Sequence, residues 1–296
     1  MKSIKVKIPA TSANLGPGFD SLGLAISLYN EIDIKSSKYQ SVSINGEGAK
    51  NIRLKKNNMF ISIFNDIYKE LVGKKDIFRF KFYNNIPFAR GLGSSSAVIV
   101  SAIASAYEMA DIKANKSTIL NRALIYEPHP DNIAPAVYGG FVSSVVEDGK
   151  VYVSKKDLPT DIKAVVVIPN LPMSTAHSRS KLSKTFSMQE LVYNLSRASL
   201  LSCAFFSENW DILKIASKDC VHQNQRMSIM PELKEVQKVS LENGALMSTL
   251  SGSGSSFFNL CYKQDSEKLY KTLKNRFEDF RVEIFDFDNN GYVIEK

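Results

Sequence analysis

PFARGLGSSSAVIVSAI, Pro87 to Ile103, sets Gly91, Gly93, Ser94, Ser95 and Ser96 directly ahead of a helix-length run of alanine, valine and isoleucine. Just upstream, Phe78, Phe80 and Phe82 alternate with Arg79, Lys81 and Tyr83, which is the period-two pattern of a strand with one buried face. Asn84-Asn85-Ile86-Pro87 then closes that strand with turn chemistry. The order is therefore strand, small-residue loop, helix start. Such a junction leaves backbone N–H groups of the first helical turn without partners, and glycines let an anion come close, so the loop is a candidate phosphate site. The competing reading is that Ser94 merely caps the helix and the glycines merely turn the chain.

Working outward, Ile4, Val6 and Ile8 share one face of a first strand, and Met59, Phe60, Ile63, Phe64, Ile67, Tyr68 and Leu71 form one apolar helical stripe. The polar stretch Glu147 to Asp161, with Asp148-Gly149 as a turn and Pro159 near its end, precedes a new apolar strand, Ala164 to Ile168. That places a domain boundary near residue 155. Beyond it, helical patterns run through Leu191–Phe206, Glu232–Leu241 and Ser266–Phe277, with a last strand near Phe280–Phe285. Strands and helices alternate in both halves, which makes the class mixed α and β.

Length and composition agree with two globular domains: 296 residues, 44% of them apolar, suffice for a full core. The three cysteines, Cys203, Cys220 and Cys261, are odd in number and far apart, which excludes a disulfide framework and fits a reducing, cytoplasmic setting. No apolar run approaches membrane-spanning length, so no membrane partner is expected. A net charge of +8 admits nucleic acid or a small anion as ligand. The basic residues are scattered, as at Lys50, Arg53, Lys55 and Lys56, and that pattern is a solvated surface rather than a nucleic-acid interface.

Two familiar phosphate loops do not fit. The Walker motif needs a lysine where Ser94 stands, and the dinucleotide fingerprint needs a third glycine where Ser96 stands. The form Pro-x-x-x-Gly-Leu-Gly-Ser-Ser, Pro87 to Ser95, instead resembles the ATP-binding motif of the GHMP small-molecule kinases. Two further blocks of that family are matched in order, KIPATSANLGPGFDSLGLA (Lys7–Ala25) and LSGSGSSFFNL (Leu250–Leu260). The first is similar to the block carried by members that phosphorylate L-homoserine.

The resemblance implies an α+β fold of two domains. Residues 1–155 would be an ATP-binding domain like the second domain of ribosomal protein S5, and residues 156–296 a ferredoxin-like domain. It also implies ATP and Mg²⁺. ATP would be held by Pro87, Phe88, Ala89, Arg90, Gly91, Leu92, Gly93, Ser94, Ser95, Ser96 and Ala97, with Ser253 and Gly254 from the third block and Asn58 at the adenine; a plain helix cap is an equal reading of Asn58. Ser95 would meet the metal. The family's usual magnesium carboxylate falls at Ile125 here, which leaves Glu127 to serve, or Ser95 and ATP alone.

EPHPDNIAPAVYGG (Glu127–Gly140) resembles the segment that positions the acceptor, with His129, Asp131 and Asn132 in that role. Whether Asp131 acts as general base or only positions stays open at this point. The substrate, a zwitterion, would find Arg179 and Arg226 for its carboxylate and Asn14 and Asp20 for its ammonium, Arg179 also serving catalysis. Ser255 replaces the proline usual in the third block, from which a softer loop is expected. Other readings are a kinase of this family for another small alcohol, or a non-catalytic homologue that binds nucleotide or nucleic acid. A homodimer is compatible with all of them.

Overall fold

The computed structural model describes residues 2–296. Alternation of apolar with charged residues makes the opening segment strand β1 (Ser3–Ala13), with Ile4, Val6 and Ile8 buried and Lys5 and Lys7 only partly covered. It pairs antiparallel with β2 (Leu22–Ser36), setting Ile4 beside Ile34 and Val6 beside Ile32. β3 (Ser41–Gly46) leads through α1 (Ile52–Lys56) and α2 (Met59–Val72) to β4 (Phe78–Asn84), which lies between β2 and β3. The apolar stripe of α2 lands on β4: Phe60 and Phe64 meet Phe78, Phe80 and Phe82 edge-on, ring centroids 5.0 to 6.0 Å apart.

α3 (Ser94–Met109) is buried nearly all round through Ala97, Ile99, Val100, Ala102 and Ile103, so it is the central helix of this unit. α4 (Lys116–Ala123) and α5 (Pro130–Tyr138) follow, then the hairpin β5 (Phe141–Glu147) and β6 (Lys150–Lys156), joined to β2 through β5. Asp148 and Gly149 both take positive φ, as a two-residue hairpin turn requires.

The second unit runs β7 (Ile162–Ile168), α6 (Thr175–Ser180), α7 (Met188–Ser207), α8 (Leu213–Ala216), α9 (Gln223–Met227), α10 (Glu232–Glu242), β8 (Ala245–Leu250), β9 (Phe257–Tyr262), α11 (Ser266–Arg276) and β10 (Arg281–Phe285). Its sheet, in the order β10-β7-β9-β8, is antiparallel throughout, the ferredoxin-like split βαβ arrangement. From Ala164 to Ile168 β7 reads as an unbroken apolar run because both its faces are covered. Ala164, Val166 and Ile168 join the core shared with the first sheet, while Val165 and Val167 pack with Leu233 and Val236 of α10 and Leu269 and Leu273 of α11. Phe205, at the end of α7, stacks on Phe141 of β5 at 4.2 Å between centroids and ties the two units together.

Two features differ from the sequence reading. β2 and β3 lie where only a helix was expected between the first strand and the phenylalanine strand; the first half of β2, Leu22–Leu28, is small or apolar on both faces and shows no alternation. The chain's end, β11 (Val293–Glu295), leaves the second unit and pairs with β1, which covers a sheet edge that would otherwise be open backbone. No helix among the described residues is long and apolar enough to cross a membrane.

Candidate active site

The glycines of the opening stretch are explained by what crosses them. Gly93 is the N-cap of α3 with φ of 67°, and a Cβ there would stand 1.9 Å from Thr11 Oγ1 of β1. A Cβ at Gly91 would stand 2.1 Å from the Ser251 carbonyl oxygen. Ser94 therefore does not cap the helix. The first helical bond is Ala97 N–H to the Gly93 carbonyl, 2.8 Å, which leaves the N–H groups of Ser94, Ser95 and Ser96 outside the helical ladder. All three residues line one cleft, at the positive end of α3.

The same cleft is lined by Asn14, Asp20, Pro87, Ala89, Arg90, Gly91, Leu92, Gly93, Glu127, His129, Asp131, Asn132, Arg179, Arg226 and Ser253, so most of the expected site residues meet there. Four do not line it: Ala97 is fully buried in the core under the helix, Gly254 is turned away with its N–H donating to the Ser251 carbonyl at 2.9 Å, and Asn58 and Phe88 lie next door. Asn58 and Phe88 line an adjoining apolar pocket with Ile44, Leu54, Phe60, Phe82 and Val98, which meets the cleft at Ala89, Ser94 and Ser95. Asn58 also caps α2, accepting from Ile61 N–H at 3.2 Å. The Arg90 guanidinium is occupied by the carbonyls of Phe88, Pro169 and Asn170.

The third block is not soft. Its residues Ser251 to Ser256 are buried, Ser251 Oγ donates to the Gly91 carbonyl at 2.6 Å, Ser256 N–H donates to Arg90 O at 3.0 Å, and Ser255 Oγ donates to Leu171 O at 2.5 Å. A serine hydroxyl supplies the anchoring that a stiff residue was expected to supply.

Across the cleft from the loop, charge alternates. Arg179, on α6, grips Asp20 with two hydrogen bonds of 2.9 and 2.6 Å. Asn14 Oδ1 accepts from Asp20 N–H at 3.0 Å and Asn14 Nδ2 donates to Gly252 O at 3.1 Å. Arg226 is 2% exposed and donates from a terminal nitrogen to the same Gly252 carbonyl at 2.9 Å. The Nε–H groups of both arginines are buried without a partner among the described residues. Expected to hold a carboxylate with an ammonium beside it, the two sides of the site instead neutralise each other through Arg179 and Asp20 in this structure.

Glu127 Oε1 lies 3.0 Å from His129 Nδ1, and that contact raises the His129 pKa above its ordinary value against the opposing effect of burial. Asp131, in the first turn of α5 and 5% exposed, has its carboxyl pushed up to about 7, first by burial and then by the charge of Asp20. Asn132 Oδ1 accepts from Thr11 Oγ1 at 2.7 Å. Ile125 is 69% exposed and stands outside the cleft, whereas Glu127 lines it. No group of three or more His, Cys, Asp or Glu residues that could cage a metal occurs among the described residues. The oxygen donors that do line the cleft, Ser95 Oγ and the carboxylate of Glu127, of which His129 engages only Oε1, suit a hard cation that also takes ligands from phosphate.

Sequence reasoning missed Thr11, Phe19 and His222. Phe19 lies with its ring centroid 5.0 Å from the Arg179 Cζ and 5.2 Å from the Arg226 Cζ, a face shared by two cations. Its place inside the matched N-terminal block was the available signal; His222, in VHQNQR, had no signal beyond its neighbour Arg226.

Comparison with known proteins follows the same lines. Residues 58–140 match the GHMP kinases N terminal domain and residues 204–279 the GHMP kinases C terminal domain. The chain is 62% identical over 291 residues to homoserine kinase from Nitratiruptor sp., covering 98% of this chain and 99% of the relative, and equally so to that of Campylobacter concisus. Among solved structures, homoserine kinase from Cytophaga hutchinsonii superposes with a TM-score of 0.88 at 27% identity, over 100% of this chain and 98% of the other.

Proposed function

The chain belongs to the homoserine kinases of the GHMP kinase family, and from that membership we propose how its cleft transfers the γ-phosphoryl group of ATP to the side-chain hydroxyl of L-homoserine. The observation that carries this reading is the pairing, in one cleft, of an open helix N-terminus with two arginines whose Nε–H groups lack partners among the described residues, beside an aspartate. One end receives phosphate oxygens. The other end receives a carboxylate and an ammonium.

The adenine ring enters the apolar pocket between Asn58 and Phe88, and the triphosphate runs along Gly91–Ser96 toward the first turn of α3. Glu127 and Ser95 would hold Mg²⁺, which when bound neutralises charge on the phosphate oxygens. Homoserine enters between Asp20 and Arg179: its ammonium takes the Asp20 carboxylate, and its carboxylate takes Arg179 and Arg226. The resident ion pair is exchanged for two new ones, so little charge is left uncompensated at any stage.

The hydroxyl of the bound substrate then faces Asp131 and Asn132. As its oxygen bonds to the γ-phosphorus, the bond to ADP breaks and the hydroxyl proton passes to the Asp131 carboxylate. A carboxyl with a pKa of about 7 is matched to taking that proton near neutral pH. Asn132, held by Thr11, fixes the direction of attack.

The test compares homoserine with 3-aminopropan-1-ol, which has the amine and hydroxyl but no carboxylate. Wild type should use the amino alcohol poorly, and Arg179→Ala should lose roughly tenfold to a hundredfold in kcat/KM for homoserine, since hydrogen bonds to charged groups are worth roughly 1.5–3 kcal/mol. The same variant should be no worse than wild type on the amino alcohol. Equal losses on both compounds would place Arg179 in ATP binding or in folding instead.

A further inference from the structure

His222 is 1% exposed, lies behind the substrate end of the cleft, and takes no part in the chemistry above. Its two ring nitrogens face two different groups. Nε2 is 2.8 Å from the carbonyl oxygen of Gly16, and Nδ1 is 3.1 Å from a terminal nitrogen of Arg226. A carbonyl only accepts and a guanidinium only donates, so Nε2 must carry the proton and Nδ1 must offer its lone pair. Both contacts are satisfied by one species, the neutral Nε2–H tautomer.

The histidine is itself held from several sides. The Asp219 carboxylate accepts the backbone N–H groups of Val221, His222 and Gln223 at 3.0, 2.9 and 2.8 Å, and Gln223 Oε1 accepts Leu250 N–H at 2.8 Å. The Phe19 ring covers the imidazole at 5.2 Å between centroids. Burial, reinforced by the positive charge of Arg226, drives the His222 pKa down to about 4 despite the opposing charge of Asp219, so the ring stays neutral at physiological pH.

The terminal nitrogen that Nδ1 accepts is the one that also donates to Gly252 O, so two acceptors on different parts of the chain aim a single guanidinium corner. With that corner pinned, the remaining guanidinium donors are fixed in direction. The geometry points to His222 as the positioning residue for Arg226: locked by the Gly16 carbonyl, its Nδ1 orients the buried guanidinium for the substrate carboxylate. This rests on the reading that Arg226 receives that carboxylate. It also links the N-terminal block, through Gly16, to substrate choice in the second unit. Protonation of Nδ1, or its loss, would leave Arg226 buried but aimed by Gly252 alone.

The experiment uses the whole enzyme with three variants and one spectroscopic measurement. His222→Phe keeps a ring under Phe19 and removes both hydrogen bonds; His222→Gln restores one donor and one acceptor. His222→Phe should raise KM for homoserine about tenfold, leave KM for ATP within about twofold, and leave kcat/KM for 3-aminopropan-1-ol unchanged, with His222→Gln recovering most of the loss. ¹⁵N NMR of the wild-type imidazole, which needs no substitution, should show the neutral Nε2–H tautomer at neutral pH. The Nδ1–H tautomer, or equal losses by His222→Phe on both acceptors, would overturn the assignment. Arg226→Lys separates the two layers: if it raises KM for homoserine and His222→Phe does not, only the positioning role fails. If Arg226→Lys leaves that KM unchanged, the carboxylate reading fails and takes the positioning role with it.

Discussion

Asp131→Asn isolates the most displaced carboxyl in the cleft. The side chain is 5% exposed, and burial followed by the nearby charge of Asp20 lifts its pKa from 3.8 to about 7, with His129 and Arg179 pulling weakly the other way. The folded state thus binds the proton more tightly than the unfolded chain between about pH 4 and 7. Stability is therefore greatest below the unfolded pKa and falls as pH rises, levelling above the folded pKa. At about 1.4 kcal/mol per pKa unit the whole displacement corresponds to about 4 kcal/mol, of which about 3 kcal/mol falls between pH 5 and pH 8. Asparagine has nearly the same shape and never ionises. The stability difference, variant minus wild type, should accordingly shift in the variant's favour by about 3 kcal/mol from pH 5 to pH 8. For a chain of this size that is roughly 5 °C in differential Tm. Calorimetry or urea titration of both proteins at the two pH values reads it directly. A difference that does not change with pH would show that Asp131 is ionised in the free protein throughout, and the argument from burial would be refuted. The same substitution should lower kcat and remove the rise of kcat/KM through pH 7 that a carboxylate proton acceptor produces in wild type.

Other outcomes follow from the loop and the metal side. Ser95→Ala should weaken Mg-ATP use far more than Ser96→Ala in a magnesium and ATP titration, because Ser95 is exposed at the cleft while Ser96 is buried in the first turn of α3; identical behaviour of the two would remove Ser95 from the metal side. Glu127→Gln should lower turnover and raise the magnesium concentration needed for half-maximal rate, and an unmoved titration would leave ATP and Ser95 as the only ligands. Gly93→Ala should abolish activity and lower Tm, since both the positive φ and the Thr11 hydroxyl 1.9 Å from the added carbon oppose it; a folded, active variant would show that the α3 cap can rebuild.

Local pattern made α2, β4 and the glycine–serine loop legible. The stripe Phe60, Phe64, Ile67 and the alternation Phe78, Phe80, Phe82 each carry their period within a few residues, so α2 and β4 were visible without tertiary information. β2 was not, because its first half is covered on both sides and has no period to read. The return of Val293–Glu295 to β1 is a pairing across nearly the full chain and leaves no local mark. The site shows the same division. A glycine–serine loop before a helix speaks for itself, whereas Arg179 and Arg226 look like any surface arginine until the matched blocks place them. The Arg179–Asp20 ion pair and the Asn14–Gly252 contact join residues 159 and 238 positions apart. His222 had only its buried surroundings to mark it, and burial is a property of the folded chain.

Whether this cleft moves a phosphoryl group from ATP to homoserine is decided by following both products of the purified protein with Mg-ATP. ADP release should depend on added L-homoserine, and ³¹P NMR should show one new phosphomonoester forming in equal amount to the ADP. ADP release that is indifferent to homoserine, or the absence of the phosphomonoester, would contradict the account.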